Sequence, residues 1–215
     1  GIGTLALAAP AGAAAVQFVD WNVPGASRGP IDVNAPVDQN VQAGEFRVLV
    51  DGSPFTTFCI ELTQHIALPS PVYGSYAIVA PDSPLVAGGG FDALQLSRFG
   101  RLFEHYLDDS RASSTASAAF QVAVWEIAYD GSVALDLLGG GFRIGAIGAS
   151  GTPGGIAGGW LSTLDQQAAG NWRFQVLHSD SQQDQLMGAR VPLPASAWLL
   201  GAGLLALAGG TAGRR

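Results

Sequence analysis

The chain has 215 residues, enough for one domain of ordinary size with its own hydrophobic core. Its 30 glycines and 12 prolines, together with only 13% charged residues, favour a turn-rich β protein over a helical bundle. The formal net charge of -7 repels phosphate backbones, which argues against nucleic acid as a partner.

The N-terminal stretch is made almost wholly of small and apolar residues and carries no charge before Asp20. It is typical of the second half of a secretory signal, an apolar region followed by an A-x-A cleavage site near Ala15. We therefore predict a truncated signal peptide at residues 1–15 and a single extracytoplasmic domain at 16–190. The alternative is that the stretch forms a buried first strand.

Alternating apolar residues predict several strands. The segment "GEFRVLVDGSPFTTFCIEL" predicts two strands, Glu45–Val50 and Phe55–Leu62, joined by a turn at Asp51 and Gly52. A third strand is expected at Tyr73–Val79, and "NWRFQVLHS" predicts a closing strand.

Helical spacing appears between these strands. Apolar residues recur at helical intervals from Phe91 onward, and a second, almost wholly apolar helix follows a run of serines and closes at Gly131. The glycine-rich segment 137–159 is expected to be a loop, followed by a short helix at Trp160–Ala168. The predicted fold class is α+β: an antiparallel β-sandwich or barrel with an inserted helical segment at about 91–130.

The C-terminal segment from Ala195 to Gly213 has no charged residue and is just long enough to cross a bilayer as a helix. Trp198 suits one membrane interface, and Arg214 and Arg215 suit the cytoplasmic side of the other. We therefore predict a C-terminal transmembrane helix with the body outside. A buried helix of a soluble domain is the alternative, but the segment has no polar face.

The tail also carries a motif in a fixed order, beginning with Val191, Pro192, Leu193, Pro194 and Ala195 and continuing through Trp198 to the terminal arginines. This order resembles the VPLPA variety of the PEP-CTERM sorting signals of Gram-negative bacteria. The resemblance implies processing by exosortase, a membrane-embedded cysteine protease, after transient anchoring in the inner membrane. It predicts a mature protein at the cell surface or in an extracellular matrix such as a biofilm. Two prolines would hold the recognition peptide extended.

Cys59 is the single cysteine, so it cannot form an internal disulfide. It is either a buried apolar residue, an intermolecular thiol, or a residue with other covalent chemistry. The phrases "FCIEL" at 58–62 and "AFQVAVWEIAYD" at 119–130 resemble the two motifs of thioester-domain adhesins. That resemblance implies a β-fold with a helical insertion and an internal thioester between Cys59 and Gln121.

The same chemistry can be argued from the residues. A thioester forms when a cysteine sulfur attacks a glutamine carboxamide and ammonia leaves, and it survives only where water is excluded. We expect the flanking residues to provide that dry environment: Phe58, Ile60, Phe120, Trp125 and Glu126. A lysine amine or a hydroxyl on a surface or matrix partner would then attack the acyl carbon. Alternatively, Cys59 and Gln121 are ordinary core residues of a noncovalent structural or carbohydrate-binding module.

Other candidate sites are weaker. His65, His105 and His178 lack zinc-ligand spacing, so no metal or cofactor is expected. Asp180 and Asp184 are expected in a solvated turn, because the calcium-loop glycine and glutamate are missing. An exported hydrolase is a third class of function, but no catalytic set is recognisable. The leading expectation is an exported, non-enzymatic surface or matrix protein.

Overall fold

The structure is a computed structural model that describes residues 13–23 and 31–192. Within these ranges it contains nine strands and three α-helices. In chain order they are β1 (Ala13–Trp21), β2 (Ile31–Ala35), β3 (Gln39–Val41), β4 (Phe46–Val50), β5 (Ser53–Cys59), β6 (Tyr73–Val79), α1 (Ala93–Ser110), α2 (Ser114–Asp130), β7 (Arg143–Ile144), α3 (Pro153–Leu164), β8 (Trp172–His178) and β9 (Gln185–Arg190).

Six antiparallel strands close into a barrel in the order β1-β4-β5-β9-β8-β6, with β1 pairing β6 to complete the circle. The α+β class is therefore confirmed, and the barrel is the correct one of the two predicted architectures. Alternate strand residues fill its interior, among them Val16, Phe18, Val48 and Tyr76, each fully buried. A small second sheet, ordered β3-β2-β7, lies apart from the barrel strands.

The β4–β5 hairpin matches the predicted turn. Asp51 and Gly52 both have positive φ, of 49° and 78°, as a two-residue hairpin turn of this handedness requires. Val50 pairs with Ser53 and Phe46 pairs with Thr57. The second strand ends at Cys59, three residues before its predicted end at Leu62.

Helices α1 and α2 are inserted between β6 and β8, as predicted, and pack on the outer side of the barrel. Phe103 of α1 contacts both Phe58 of β5 and Phe174 of β8, with ring centroids 5.7 and 5.0 Å apart. Gly188 of β9 lies under the same ring, where a Cβ would approach Phe103 to 2.7 Å. The glycine therefore allows α1 to lie close against the barrel.

Side chains of α1 satisfy the C-terminal carbonyls of α2. The Gln95 amide donates to the carbonyls of Ile127 and Ala128, and Arg98 donates to those of Gly131 and Val133. Helix α2 ends at Gly131, as predicted, and the φ of this glycine is -65°. Its small size matters, because a Cβ there would lie 2.8 Å from Gln95 Cγ.

The prediction of a glycine-rich loop over 137–159 is wrong for its last seven residues, 153–159. Thr152 caps the N-terminus of α3 by accepting from the N–H of Gly155, and Pro153 occupies the first turn. Gly154 lies where a Cβ would approach the Ile147 carbonyl to 2.5 Å. The helix consequently begins seven residues before its predicted start at Trp160.

Within residues 13–23 and 31–192, no helix combines the length and apolar character needed to cross a bilayer. The predicted C-terminal span, Ala195–Gly213, lies outside the described residues. The predicted signal-peptide boundary near Ala15 falls inside β1, where Ala14 is buried and pairs with Tyr76. Residues 1–12, which hold most of the predicted signal, are not among the described residues.

Candidate functional site

Cys59 is the last residue of β5 and lies beyond the reach of β4. Strand β4 begins at Phe46, opposite Thr57, so Cys59 extends two residues past that pair. Its other neighbour, β9, pairs with it at Gln185. The polar groups of the Cys59 backbone therefore need a partner from outside the barrel.

Gln121 of α2 is that partner. The Cys59 N–H donates to Gln121 Oε1 at 3.0 Å, and Gln121 Nε2 donates to the Cys59 carbonyl at 2.7 Å. Both residues are buried, with 3% and 1% of their surfaces exposed. The carboxamide group thus lies directly against the residue that carries the thiol.

The local sequence explains how α2 presents this amide. Phe120, one position before Gln121, packs on Phe58 with ring centroids 4.6 Å apart, which presses α2 onto the outer face of β5. Trp125 lies one helical turn after Gln121 and so projects from the same face of α2. The structure therefore brings three predicted site residues, Gln121, Phe120 and Trp125, to Cys59 or to its neighbour Phe58.

The Cys59 thiol is held in a dry and acidic environment. Its Sγ donates to the Glu61 carbonyl at 2.7 Å. Burial raises the pKa of this thiol to about 12; the Glu61 carbonyl and the Trp125 indole oppose the increase, and the charges of Glu61 and Asp184 add to it. The thiol is therefore protonated at neutral pH, which suits a stored group better than a permanently reactive thiolate.

A cavity of about 630 Å³ opens beside the pair. Cys59, Gln121 and Trp125 line it, together with residues of β1, β3 and the residue after it, the start of β4, the segment after β5 and the β8–β9 loop: Trp21, Gln39, Asn40, Val41, Gln42, Phe46, Leu62, His65, Ile66, Leu68 and Gln183. The cavity therefore gives the Cys59–Gln121 pair one side that is not covered by packed side chains.

The indole N–H of Trp125 has no hydrogen-bond partner among the described residues, although only 2% of the residue surface is exposed. Trp125 and Cys59 line the same cavity. A buried donor without an acceptor carries a free-energy cost of about 1–3 kcal/mol. The Nε1 atom is itself buried, so only a group that enters the site beside Cys59 would accept from it.

Of the remaining predicted site residues, Ile60 directly follows Cys59 and Glu126 lies apart from the pair. Ile60 is buried, and its N–H donates to the Asp184 carbonyl. Glu126 accepts a hydrogen bond from the N–H of Asp136 in the loop after α2, at 2.6 Å, and does not line the cavity. In the sorting motif, Val191 and Pro192 are described, and Leu193 to Arg215 lie outside the described residues.

A buried polar network near Cys59 was not predicted. Asp184, placed by the sequence in a solvated turn, is 1% exposed, and that prediction is wrong. Its carboxylate accepts from the N–H groups of Ala87 and Ser179 and contacts His178 Nδ1 at 3.0 Å. Its own N–H faces Glu61 Oε2 at 3.5 Å. Glu61 and Asp184 are 123 positions apart in the chain, so no local pattern indicates their contact.

Among the described residues, no group of three or more histidine, cysteine, aspartate or glutamate side chains is placed to hold a metal ion. His178 lies between Asp180 and Asp184.

Comparison of the chain with protein-family models, with curated proteins and with solved structures found no match. The functional argument therefore depends on the residues of the site itself.

Proposed function

We propose that this protein is an exported cell-surface or matrix protein that attaches covalently to a partner through an internal thioester between Cys59 and Gln121. One observation carries the proposal: both polar atoms of the Gln121 carboxamide are hydrogen-bonded to the backbone of Cys59 inside a buried site. Because the two groups are already held together, their reaction does not have to lose the entropy of a bimolecular encounter.

The geometry supports a direct condensation. In the proposed step the Cys59 sulfur attacks the Gln121 amide carbon, the C–S bond forms, and the C–N bond breaks. The thiol proton passes to the departing nitrogen, which leaves as ammonia. The Cys59 N–H, 3.0 Å from Gln121 Oε1, would stabilise the negative charge that develops on that oxygen.

The same burial supports a long-lived product. Hydrolysis needs water at the acyl carbon, and both residues of the pair are buried, next to the packed rings of Phe58 and Phe120. Access from the cavity would let a partner amine or hydroxyl attack instead. The acyl group of Gln121 would then be bonded to the partner and the Cys59 thiol released. Because each molecule reacts once, this is cross-linking and not enzymatic turnover.

Methylamine tests this function. The amine should add to Gln121 and release one thiol per chain, so a thiol reagent added after unfolding should label Cys59 only in methylamine-treated protein. Peptide mass mapping should place the methylamide on Gln121. Cys59→Ala is the control and should take up no methylamine. A thiol that is fully labelled without any amine treatment would refute the thioester.

A second function is favoured by the same hydrogen bonds. The Gln121 amide satisfies a strand-end backbone that β4 does not reach, which is also the role of an ordinary buried glutamine. On that account the domain is a noncovalent structural or carbohydrate-binding module, and Cys59 stays a free buried thiol. The methylamine experiment separates the two functions, since only the thioester yields an amine adduct.

The proposed route to the surface rests on the sequence of the tail. The motif from Val191 to Ala195, the uncharged segment after it and the terminal Arg214 and Arg215 support recognition by exosortase at the inner membrane. The C-terminal helix would anchor the precursor until processing releases the body. The negative net charge of the chain also makes nucleic acid an unfavourable partner for the exported body.

A further inference from the structure

The cavity beside Cys59 has a lining of a particular chemical kind. Besides Gln121, four carboxamide side chains and two indoles line it: Gln39, Asn40, Gln42, Gln183, Trp21 and Trp125. Carboxamides both donate and accept hydrogen bonds, so they match hydroxyl groups, which do the same. Indoles offer flat apolar faces together with one donor.

Apart from His65 and the Cys59 thiol, the described part of this wall has no ionisable side chain. Among the described residues that line the cavity, none is aspartate, glutamate, lysine or arginine. A lysine ammonium would lose its hydration there without gaining a carboxylate, which is unfavourable. An anionic polymer would meet no lysine or arginine among the described residues of the cavity and would be repelled by a chain of net charge -7. The lining therefore selects a neutral polar ligand.

Two further features indicate a ligand that has a ring able to lie on an aromatic side chain and oxygen atoms able to accept hydrogen bonds. Trp21 stacks on Phe46, with centroids 4.4 Å apart and planes inclined by 22°, so its ring is held in a fixed orientation at the cavity wall. Trp125 contributes a buried N–H that has no acceptor among the described residues. A cavity of about 630 Å³ is within the usual range for small-molecule sites.

We propose that this cavity binds a neutral carbohydrate, such as a segment of an uncharged polysaccharide. The sugar ring lies against Trp21, the carboxamides bind its hydroxyls, and Trp125 donates to one sugar oxygen. The proposal deepens the thioester function, on which its covalent part rests. There a sugar hydroxyl attacks the acyl carbon of Gln121, a C–O bond forms, the C–S bond breaks, and the hydroxyl proton passes to the Cys59 sulfur.

Binding is tested in a full-length Cys59→Ala chain, which cannot form a thioester, so the result is independent of the methylamine experiment. Titration calorimetry with neutral hexasaccharides (maltohexaose, cellohexaose and mannohexaose) should give saturable binding by at least one of them at millimolar concentration. Hexagalacturonate and Nα-acetyl-lysine amide, which are charged, should bind more weakly.

Substitutions locate the binding. Trp21→Ala should raise the Kd about tenfold or more, as loss of an aromatic anchor usually does. Gln42→Ala should weaken binding several-fold, whereas Gln166→Ala, an equally exposed glutamine away from the cavity, should leave it unchanged. Because Gln42 is exposed, this pair remains informative even where Trp21→Ala impairs folding.

Absence of binding by all three neutral sugars, preference for a charged probe, or equal Kd values for Gln42→Ala and Gln166→Ala would overturn the proposal.

Discussion

Glu126 is a buried carboxyl group that is only half satisfied. It lies on α2 with none of its surface exposed, and its Oε2 has no hydrogen-bond partner among the described residues. Burial raises the pKa of Glu126 to about 7, with a smaller opposing effect from the Asp136 N–H and smaller increases from the charges of Asp130 and Asp136. The folded state therefore favours the protonated form.

This shift predicts how stability depends on pH. Between the ordinary pKa of about 4.5 and the folded value of about 7, the folded chain binds more protons than the unfolded chain, so the free energy of unfolding falls as pH rises. Glu126→Gln removes this decline. The free energy of unfolding of the variant minus that of wild type should therefore be about 2 kcal/mol larger at pH 8 than at pH 5. Urea unfolding at both pH values measures the difference, and the exposed Asp38→Asn serves as control. An unchanged pH dependence in Glu126→Gln would contradict the assignment.

Gln121 supports the end of β5 whether or not a covalent bond forms. In a Cys59→Ala background, Gln121→Met should lower the free energy of unfolding by about 2–4 kcal/mol, because two buried backbone groups of residue 59 lose their partner. Gln166→Met, on an exposed site, should change it by less than about 0.5 kcal/mol. Equal effects of the two substitutions in chemical denaturation would show that the Gln121 amide does not stabilise the fold.

At the scale of the elements, Arg98 joins three parts of the helical layer. Its guanidinium donates to the carbonyls of Gly131 and Val133 after α2 and, through Nε, to Asp165 after α3 at 3.0 Å. Arg101 also contacts Asp165 but is more exposed. The two arginines therefore share one partner in different environments.

Arg98→Leu should lower the free energy of unfolding by about 3 kcal/mol, since buried carbonyls and Asp165 lose their donor together. Arg101→Leu should cost less than about 1 kcal/mol, as partly exposed ion pairs contribute little. Thermal and urea unfolding of the two variants gives the comparison. A larger cost for Arg101→Leu would refute the central role assigned to Arg98.

Elements with strong local signals could be predicted from the sequence. The Asp51-Gly52 turn, strand Tyr73–Val79 and the two helices of the insertion are found where spacing and caps indicate them. The first seven residues of α3, 153–159, were predicted as loop because their glycines have low helix propensity, and tight packing against the 144–147 segment overrides that preference. Strand β9 was missed because its polar and glycine residues, such as Gln185 and Gly188, hide the alternation of a strand buried on both sides.

The candidate site was predictable only as a pair. The motif resemblance predicted a contact between Cys59 and Gln121, and the structure has that contact. The surrounding polar network, with Glu61 and Asp184 from segments far apart in the chain, depends on barrel closure and leaves no local pattern. Glu126 was expected beside Gln121 because the two are close in sequence. It lies five positions further along α2, and so projects from a different side of the helix.

At the scale of the whole molecule, the tail determines where the protein is expected to work. Deletion of Ala195–Arg215 should abolish retention of the precursor at the inner membrane, because the proposed anchor is the uncharged segment before Arg214. Cell fractionation of full-length and truncated chains, with Arg47→Gln as a full-length control for altered charge, measures the effect. Equal inner-membrane retention of the truncated chain would contradict the anchor.

The central claim is that the barrel and α2 bring together a cysteine and a glutamine that condense. Intact mass spectrometry of the purified protein tests this most directly, because loss of ammonia lowers the mass by about 17 Da. The account predicts this deficit in wild type, its absence in Cys59→Ala and Gln121→Met, and a gain corresponding to methylamine after amine treatment. A wild-type mass equal to that of the unmodified chain, with Cys59 open to alkylation after unfolding, would contradict it.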